Sequence, residues 1–81
     1  MMLGVVMESV WSTKKVASLT GQPLLLILPQ SRSGPPIVAA DCVGAGKGTT
    51  VLVATGGAAR MAAGADCPVD AAIVGILDEQ Q

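Results

Sequence analysis

Short apolar runs, each closed off by glycine, proline or a polar turn, constrain this fold more than any other feature of the chain. Residues 3–11 alternate, with Leu3, Val5, Met7 and Trp11 on one side and Gly4, Val6, Glu8 and Val10 on a mixed other side. Residues 24–28 form a Leu/Ile run between Pro23 and Pro29. Proline has no N–H to give to a ladder, so both mark strand ends. Residues 37–42 and the β-branched residues 50–55 supply a third and a fourth strand. Residues 71–77 supply a fifth, a nearly continuous apolar run that suits a strand covered on both faces.

The character changes only at residues 57–63, Gly-Ala-Ala-Arg-Met-Ala-Ala, which are rich in helix formers and free of β-branching. A short helix is predicted there, with Gly64 ending it in a left-handed conformation. Residues 12–22 read as a long polar loop, and residues 30–36, Gln-Ser-Arg-Ser-Gly-Pro-Pro, as a turn. The chain of 81 residues allows one domain, spanning 1–81. The predicted fold is mainly β: a small five-stranded OB-like β-barrel with one short helix, because closure removes exposed edges. A two-layer α+β sandwich is the alternative architecture.

Composition narrows the chemistry. There is no histidine, which excludes Ser-His-Asp and Cys-His catalysis and histidine metal ligands. Tyr and Phe are absent and Trp occurs once, so no aromatic platform exists for stacking bases. Lys plus Arg number 5 against 6 Asp plus Glu, for a net charge of −1, which leaves no cationic excess for phosphates. Hydrophobic residues make up 51% and charged residues 14%. A chain this short has few charged side chains to cover its outside, and surplus apolar surface points to an oligomer.

No aliphatic run approaches the ~20 residues of a membrane span, and the early Glu8 with no preceding basic stretch does not fit a signal peptide. Cys42 and Cys67 lack CxxC spacing, so a zinc site is not expected. With no export signal, two reduced, buried thiols in a cytoplasmic protein are the expectation.

One motif tempts and fails. Gly44-Ala45-Gly46-Lys47-Gly48-Thr49 resembles part of a phosphate-binding loop. The glycine that such a loop needs five positions earlier is replaced by Asp41, a carboxylate where phosphate would sit. A β-branched segment follows instead of the helix whose N-terminus holds the anion. The glycines are therefore read as structural, supplying positive φ or close backbone approach. The carboxylates Glu8, Asp41, Asp66, Asp70, Asp78 and Glu79 show no spacing that selects an acid–base pair. No catalytic residue, cofactor or metal is assigned, and no enzyme is expected.

Four blocks carry a family resemblance: Val38-Ala39-Ala40-Asp41-Cys42-Val43-Gly44-Ala45-Gly46-Lys47-Gly48, Val51-Leu52-Val53, Gly56-Gly57-Ala58-Ala59-Arg60, and Pro68-Val69-Asp70-Ala71-Ala72-Ile73-Val74-Gly75-Ile76-Leu77-Asp78. The Leu3-Gly4-Val5-Val6 start, the Thr13-Lys14-Lys15 turn and the Ser18-Leu19-Thr20-Gly21-Gln22-Pro23-Leu24-Leu25-Leu26-Ile27 stretch fit as well. Together they resemble the EutN/CcmL family of bacterial microcompartment vertex proteins, over essentially the whole chain. The resemblance implies an OB-like barrel, a homopentamer, no catalysis, and a place at the corners of a polyhedral shell otherwise tiled by hexameric shell proteins. Where the family carries Ser-Ser ahead of its Ala-Arg, this chain carries Gly57 and Ala58, which have no hydroxyls.

On that reading the function is structural, in a cytoplasmic microcompartment shell, with carboxysome-like relatives, no nucleic acid and no membrane. The alternative is a small OB-like ligand- or nucleic-acid-binding module. A ring requires a heterologous interface whose rotation closes; the number five comes from the resemblance alone. Gly44, Ala45, Gly46, Lys47 and Gly48 are the candidates for the ring axis or pore, because small residues suit a place where copies meet. Arg60, Lys14, Lys15, Val74 and Asp70 are the candidates for assembly contacts. Arg60 is expected to face solvent or a neighbour, with Asp66, Asp70 or Asp78 as possible partners.

Overall fold

The computed structural model describes residues 1–30 and 34–78. Residues 31–33 of the expected 30–36 turn, and Glu79 among the carboxylates, lie outside the described residues.

The strands are β1 (Met2–Val10), β2 (Leu24–Pro29), β3 (Ile37–Asp41), β4 (Thr50–Thr55) and β5 (Ala71–Ile76), with one α-helix, α1 (Gly57–Ala63), between β4 and β5. They close into a barrel in the order β1-β2-β3-β5-β4. All pairings are antiparallel except β3 with β5. This is the expected five-stranded barrel with a single short helix. Inside it pack Val6, Leu25, Ile27, Ala39, Val51, Val53, Ala71 and Ile73, all buried. Fully burying an Ile or Val contributes roughly 1.5–3 kcal/mol each.

The long 12–22 loop holds one 3₁₀ turn, Ala17–Leu19. Alternation in β1 is not continuous. Val6 pairs with Ile27 and Glu8 with Leu26, so Met7 is an extra residue on β1. A bulge of this kind bends a strand and shifts its side chains across the sheet. The core side of β1 is therefore Gly4 and Val6, while Leu3 and Met7 are exposed and Trp11 lies beyond the strand. The apolar-rich set predicted from the alternation is the outer one. Gly4 explains why a glycine faces the core: a Cβ there would overlap Ile27 Cγ2 and come within 3.1 Å of the Leu28 carbonyl oxygen.

The apolar run of β5 is covered on both faces over its first half. Ile73 enters the barrel, while Ala72 joins Ala40 and Ala59 in a second buried cluster beneath α1, flanked by Leu24, Ala63 and Val69. Small residues allow the helix to approach the sheet closely here. Toward its end β5 opens to solvent, with Ile76 and Leu77 exposed. Gly64 ends α1 and its N–H donates to the Arg60 carbonyl at 2.8 Å. Its φ of 121° and ψ of 140° are open to glycine, but differ from the left-handed helical values expected for the cap.

Candidate functional site

The glycine-spaced loop after β3 is built around Asp41. One carboxylate oxygen of Asp41 accepts from the backbone N–H groups of Val43 (3.2 Å), Gly44 (2.9 Å) and Ala45 (3.2 Å), and the other accepts from Ala45 at 3.0 Å. Successive N–H groups curled toward one point make an anion nest. Here the chain fills that nest with its own side chain. The phosphate-loop likeness thus has a physical content, and the residue that broke the motif is the one occupying the anion's place. Gly44 and Gly48 have φ of 79° and 87°, which only glycine adopts readily.

The rest of the loop is tied to the barrel. Gly48 N–H donates to the Val6 carbonyl at 2.9 Å, and Val6 N–H donates to the Thr49 carbonyl at 3.0 Å. The Thr49 hydroxyl donates to the Gly46 carbonyl at 2.6 Å. Ala45 is half-buried and packs against the barrel core, whereas Gly44, Gly46, Lys47 and Gly48 are exposed. The axis candidates therefore form one glycine-rich lip tied to the barrel, with Lys47 exposed on it.

The assembly candidates fall in three places. Arg60 and Asp70, both exposed, line one open groove of about 540 Å³ with Gly56, Gly57, Pro68 and Val69. Lys14 and Lys15 are exposed in the β1–β2 loop. Lys15 Nζ donates to the Ser12 carbonyl at 2.8 Å, and the Ser12 hydroxyl donates to the Lys14 carbonyl at 2.8 Å, so this stretch shapes its own turn. Val74 is half-buried and is itself an extra residue: Val53 pairs with Ile73 and Leu52 with Gly75. The same β1–β2 loop, with Trp11, Gln22 and Leu24, lines a second cavity of about 260 Å³. Trp11 is 89% exposed.

The cysteines differ from expectation. Both are free, but only Cys67 is buried, and Cys42 is exposed beside the glycine loop. Partial burial, then the Asp41 carboxylate, then Cys67, push the Cys42 thiol above its ordinary range. Among the described residues no buried side chain is polar or charged, no three His, Cys, Asp or Glu groups converge as a metal site would require, and no helix is long and apolar enough to cross a membrane.

Sequence reading put Asp41 where phosphate would sit but not as the residue that gathers the loop's N–H groups, and it gave Gly4 no role. Asp41 carried a usable signal: an Asp three residues before a glycine in a loop is the pattern in which a carboxylate folds back on following N–H groups. Gly4 carried none, since its constraint is a contact with a strand far away in sequence.

Comparison with known proteins follows the same outline. The family described as "Ethanolamine utilisation protein EutN/carboxysome" matches residues 1–78. The carboxysome shell vertex protein CcmL of Synechocystis sp. is 47% identical over 83 residues, covering 96% of this chain and 83% of the relative. Among solved structures, CcmL of Nostoc sp. superposes with a TM-score of 0.86 at 42% identity, covering 96% of this chain and 89% of that one. The pentameric microcompartment shell protein GrpN of Rhodospirillum rubrum superposes with a TM-score of 0.83 at 39% identity, covering 100% and 98%. With the family model matched over residues 1–78 and a relative 47% identical across 96% of the chain, the chain belongs to the EutN/CcmL family.

Proposed function

We propose that this protein is a structural shell component of a bacterial microcompartment, forming homopentamers that cap the vertices of the polyhedral shell. The observation that carries this reading is a relative named as a shell vertex protein at 47% identity across 96% of the chain. The barrel is consistent with it: among the described residues its buried side chains are apolar, and several large hydrophobic side chains are exposed. On this reading the chain is not an enzyme, takes no cofactor, and works in the cytoplasm without nucleic acid or membrane. Its partners are its own copies and hexameric shell proteins.

Within the ring, the lip formed by Gly44, Ala45, Gly46, Lys47 and Gly48 is assigned to the axis, where small residues let copies approach. Lys47 points outward or forms a basic ring at the mouth, because ammonium groups crowded at the axis repel. Arg60, Asp70, Lys14, Lys15 and Val74 are assigned to contacts between subunits or with hexamers. The Arg60 guanidinium forks onto a carboxylate or carbonyls in a way lysine does not match.

The test is co-expression with hexameric shell proteins, with and without this chain and with Arg60→Ala. Closed shells that require the chain support the vertex role. Loss of closure by Arg60→Ala with the ring intact assigns Arg60 to the hexamer contact. Shells that close equally well without the chain contradict the reading.

A further inference from the structure

The two cysteines, far apart in sequence, are brought to the same side of the barrel. Consecutive residues of β3 divide between its two faces: Ala39 is buried in the barrel interior, and Ala40 in the cluster beneath α1. Side chains two apart along a strand share a face. Cys42 carries the ladder on past Asp41, its N–H donating to the Ile73 carbonyl at 3.3 Å. The continued ladder puts Cys42 on the Ala40 side, the side that α1 covers, at a place still open to water.

Cys67 reaches that side from the other direction. It lies in the connection from α1 to β5, and the residues on either side of it, Ala63 and Val69, both pack on the cluster of Ala40, Ala59 and Ala72. Its N–H donates to the Gly64 carbonyl at 2.9 Å, and its carbonyl accepts from the Val69 N–H at 2.9 Å. These bonds fold the connection in, and Cys67 is buried. The two sulfurs also feel each other: after partial burial and the Asp41 carboxylate, Cys67 is the third cause holding the Cys42 thiol up. One accessible sulfur with a second one behind it is the arrangement in which a first cysteine is attacked and a second resolves.

We propose that Cys42 and Cys67 are a reversible dithiol–disulfide pair that, when oxidised, staples the end of β3 to the α1–β5 connection within one chain. The oxidant is a small-molecule disulfide, RSSR. The Cys42 thiolate attacks one sulfur of RSSR, forming a mixed disulfide and expelling RS⁻. The Cys67 thiolate then attacks the Cys42 sulfur and expels the second RS⁻. The two RS⁻ groups take up the two protons that the cysteines lose, so two protein thiols and RSSR become one protein disulfide and two RSH. The protein is oxidised by two electrons and the small disulfide is reduced. Since the thiolate is the attacking form, the raised Cys42 thiol makes the first step slow at neutral pH without preventing it. The closed loop contains the glycine lip, β4 and α1, which are thereby tied together covalently. The pair lies within one chain and does not depend on the ring proposed above.

The test incubates the folded, unsubstituted chain with oxidised glutathione, removes the excess, alkylates, and reads the intact mass and the unreduced tryptic peptides. Lys47 and Arg60 are cleavage sites between the two cysteines, so a linked pair is seen as two joined peptides. The expected product is a single chain two hydrogens lighter than the dithiothreitol-treated one, with no alkyl group, no glutathione, and Cys42 joined to Cys67. At one fixed ratio of oxidised to reduced glutathione, the folded chain is expected to form at least about 10-fold more of this disulfide, relative to the dithiol, than the chain in urea. Its unfolding temperature is expected to rise by about 5 °C or more, a shift that dithiothreitol reverses and that Cys42→Ser lacks. Cys67→Ala, which removes the resolving sulfur, is expected to stop at a glutathione adduct on Cys42. A folded, unsubstituted chain that stops at that adduct, stays fully reduced, links two chains together, or forms the pair no better than the unfolded chain overturns the proposal.

Discussion

Gly4 and Asp41 show how much of this fold hangs on single positions. At Gly4 the first side-chain carbon would overlap a methyl of fully buried Ile27, next to the Leu28 backbone. Neither neighbour can move without disturbing the barrel, so Gly4→Ala is expected to destabilise by about 1–3 kcal/mol. Denaturant unfolding measures this, and an unchanged midpoint contradicts the packing account. Asp41 gathers the N–H groups of Val43, Gly44 and Ala45. Asp41→Ala leaves them to solvent and is expected to cost about 1–3 kcal/mol; Asp41→Asn, which keeps one acceptor oxygen, costs less. Hydrogen exchange should accelerate in residues 43–45 of the alanine variant, and protection equal to the parent's removes the nest from the account.

The Cys42 thiol belongs to the same neighbourhood. Partial burial, Asp41 and Cys67 hold its pKa up, so the folded chain keeps this proton at a pH where the unfolded chain has begun to lose it. Any stability from this group is present below the ordinary thiol pKa and is lost as pH rises through the raised one. At pH 8 Cys42 is therefore expected to alkylate more slowly than a small-molecule thiol despite its exposure, since the thiolate is the reacting form. An alkylation rate equal to the small thiol's counts against the proposed environment.

Among the elements, β4 and α1 occupy the residues the sequence pattern predicts, 50–55 and 57–63. Both follow from local chemistry: β-branching in one, alanine-rich helix formers in the other. β1 was legible as a strand but not as an oriented one. Its bulge at Met7 depends on where β2 pairs, and a pairing register is not written in one strand's own residues. The second extra residue, Val74, has the same character. It is half-buried on β5, between Ile73 and Gly75. Val74→Asp places a carboxylate at a half-buried position of an apolar strand, and is expected to cost several kcal/mol of subunit or ring stability, roughly 2–4. Thermal unfolding of the purified variant checks this; a melting temperature equal to the parent's contradicts it.

At the scale of the molecule, closure was legible because five short strands in a small chain leave few other ways to avoid bare edges. Which apolar side chains lie side by side was not, since it depends on the strand order β1-β2-β3-β5-β4. Composition indicated surplus apolar surface, and the structure spreads it over the outer strands (Leu3, Leu28, Val38), the β1–β2 loop (Trp11, Val16) and α1 (Met61). The glycine lip, the Arg60 groove and these exposed apolar side chains sit on a scaffold whose buried residues, where described, are apolar. On the proposed reading, the chain works through contacts with other molecules. Native mass spectrometry of the purified chain tests this most directly: the account predicts a particle of five times the 8.1 kDa chain mass, and a single-chain mass persisting at micromolar concentration would contradict it.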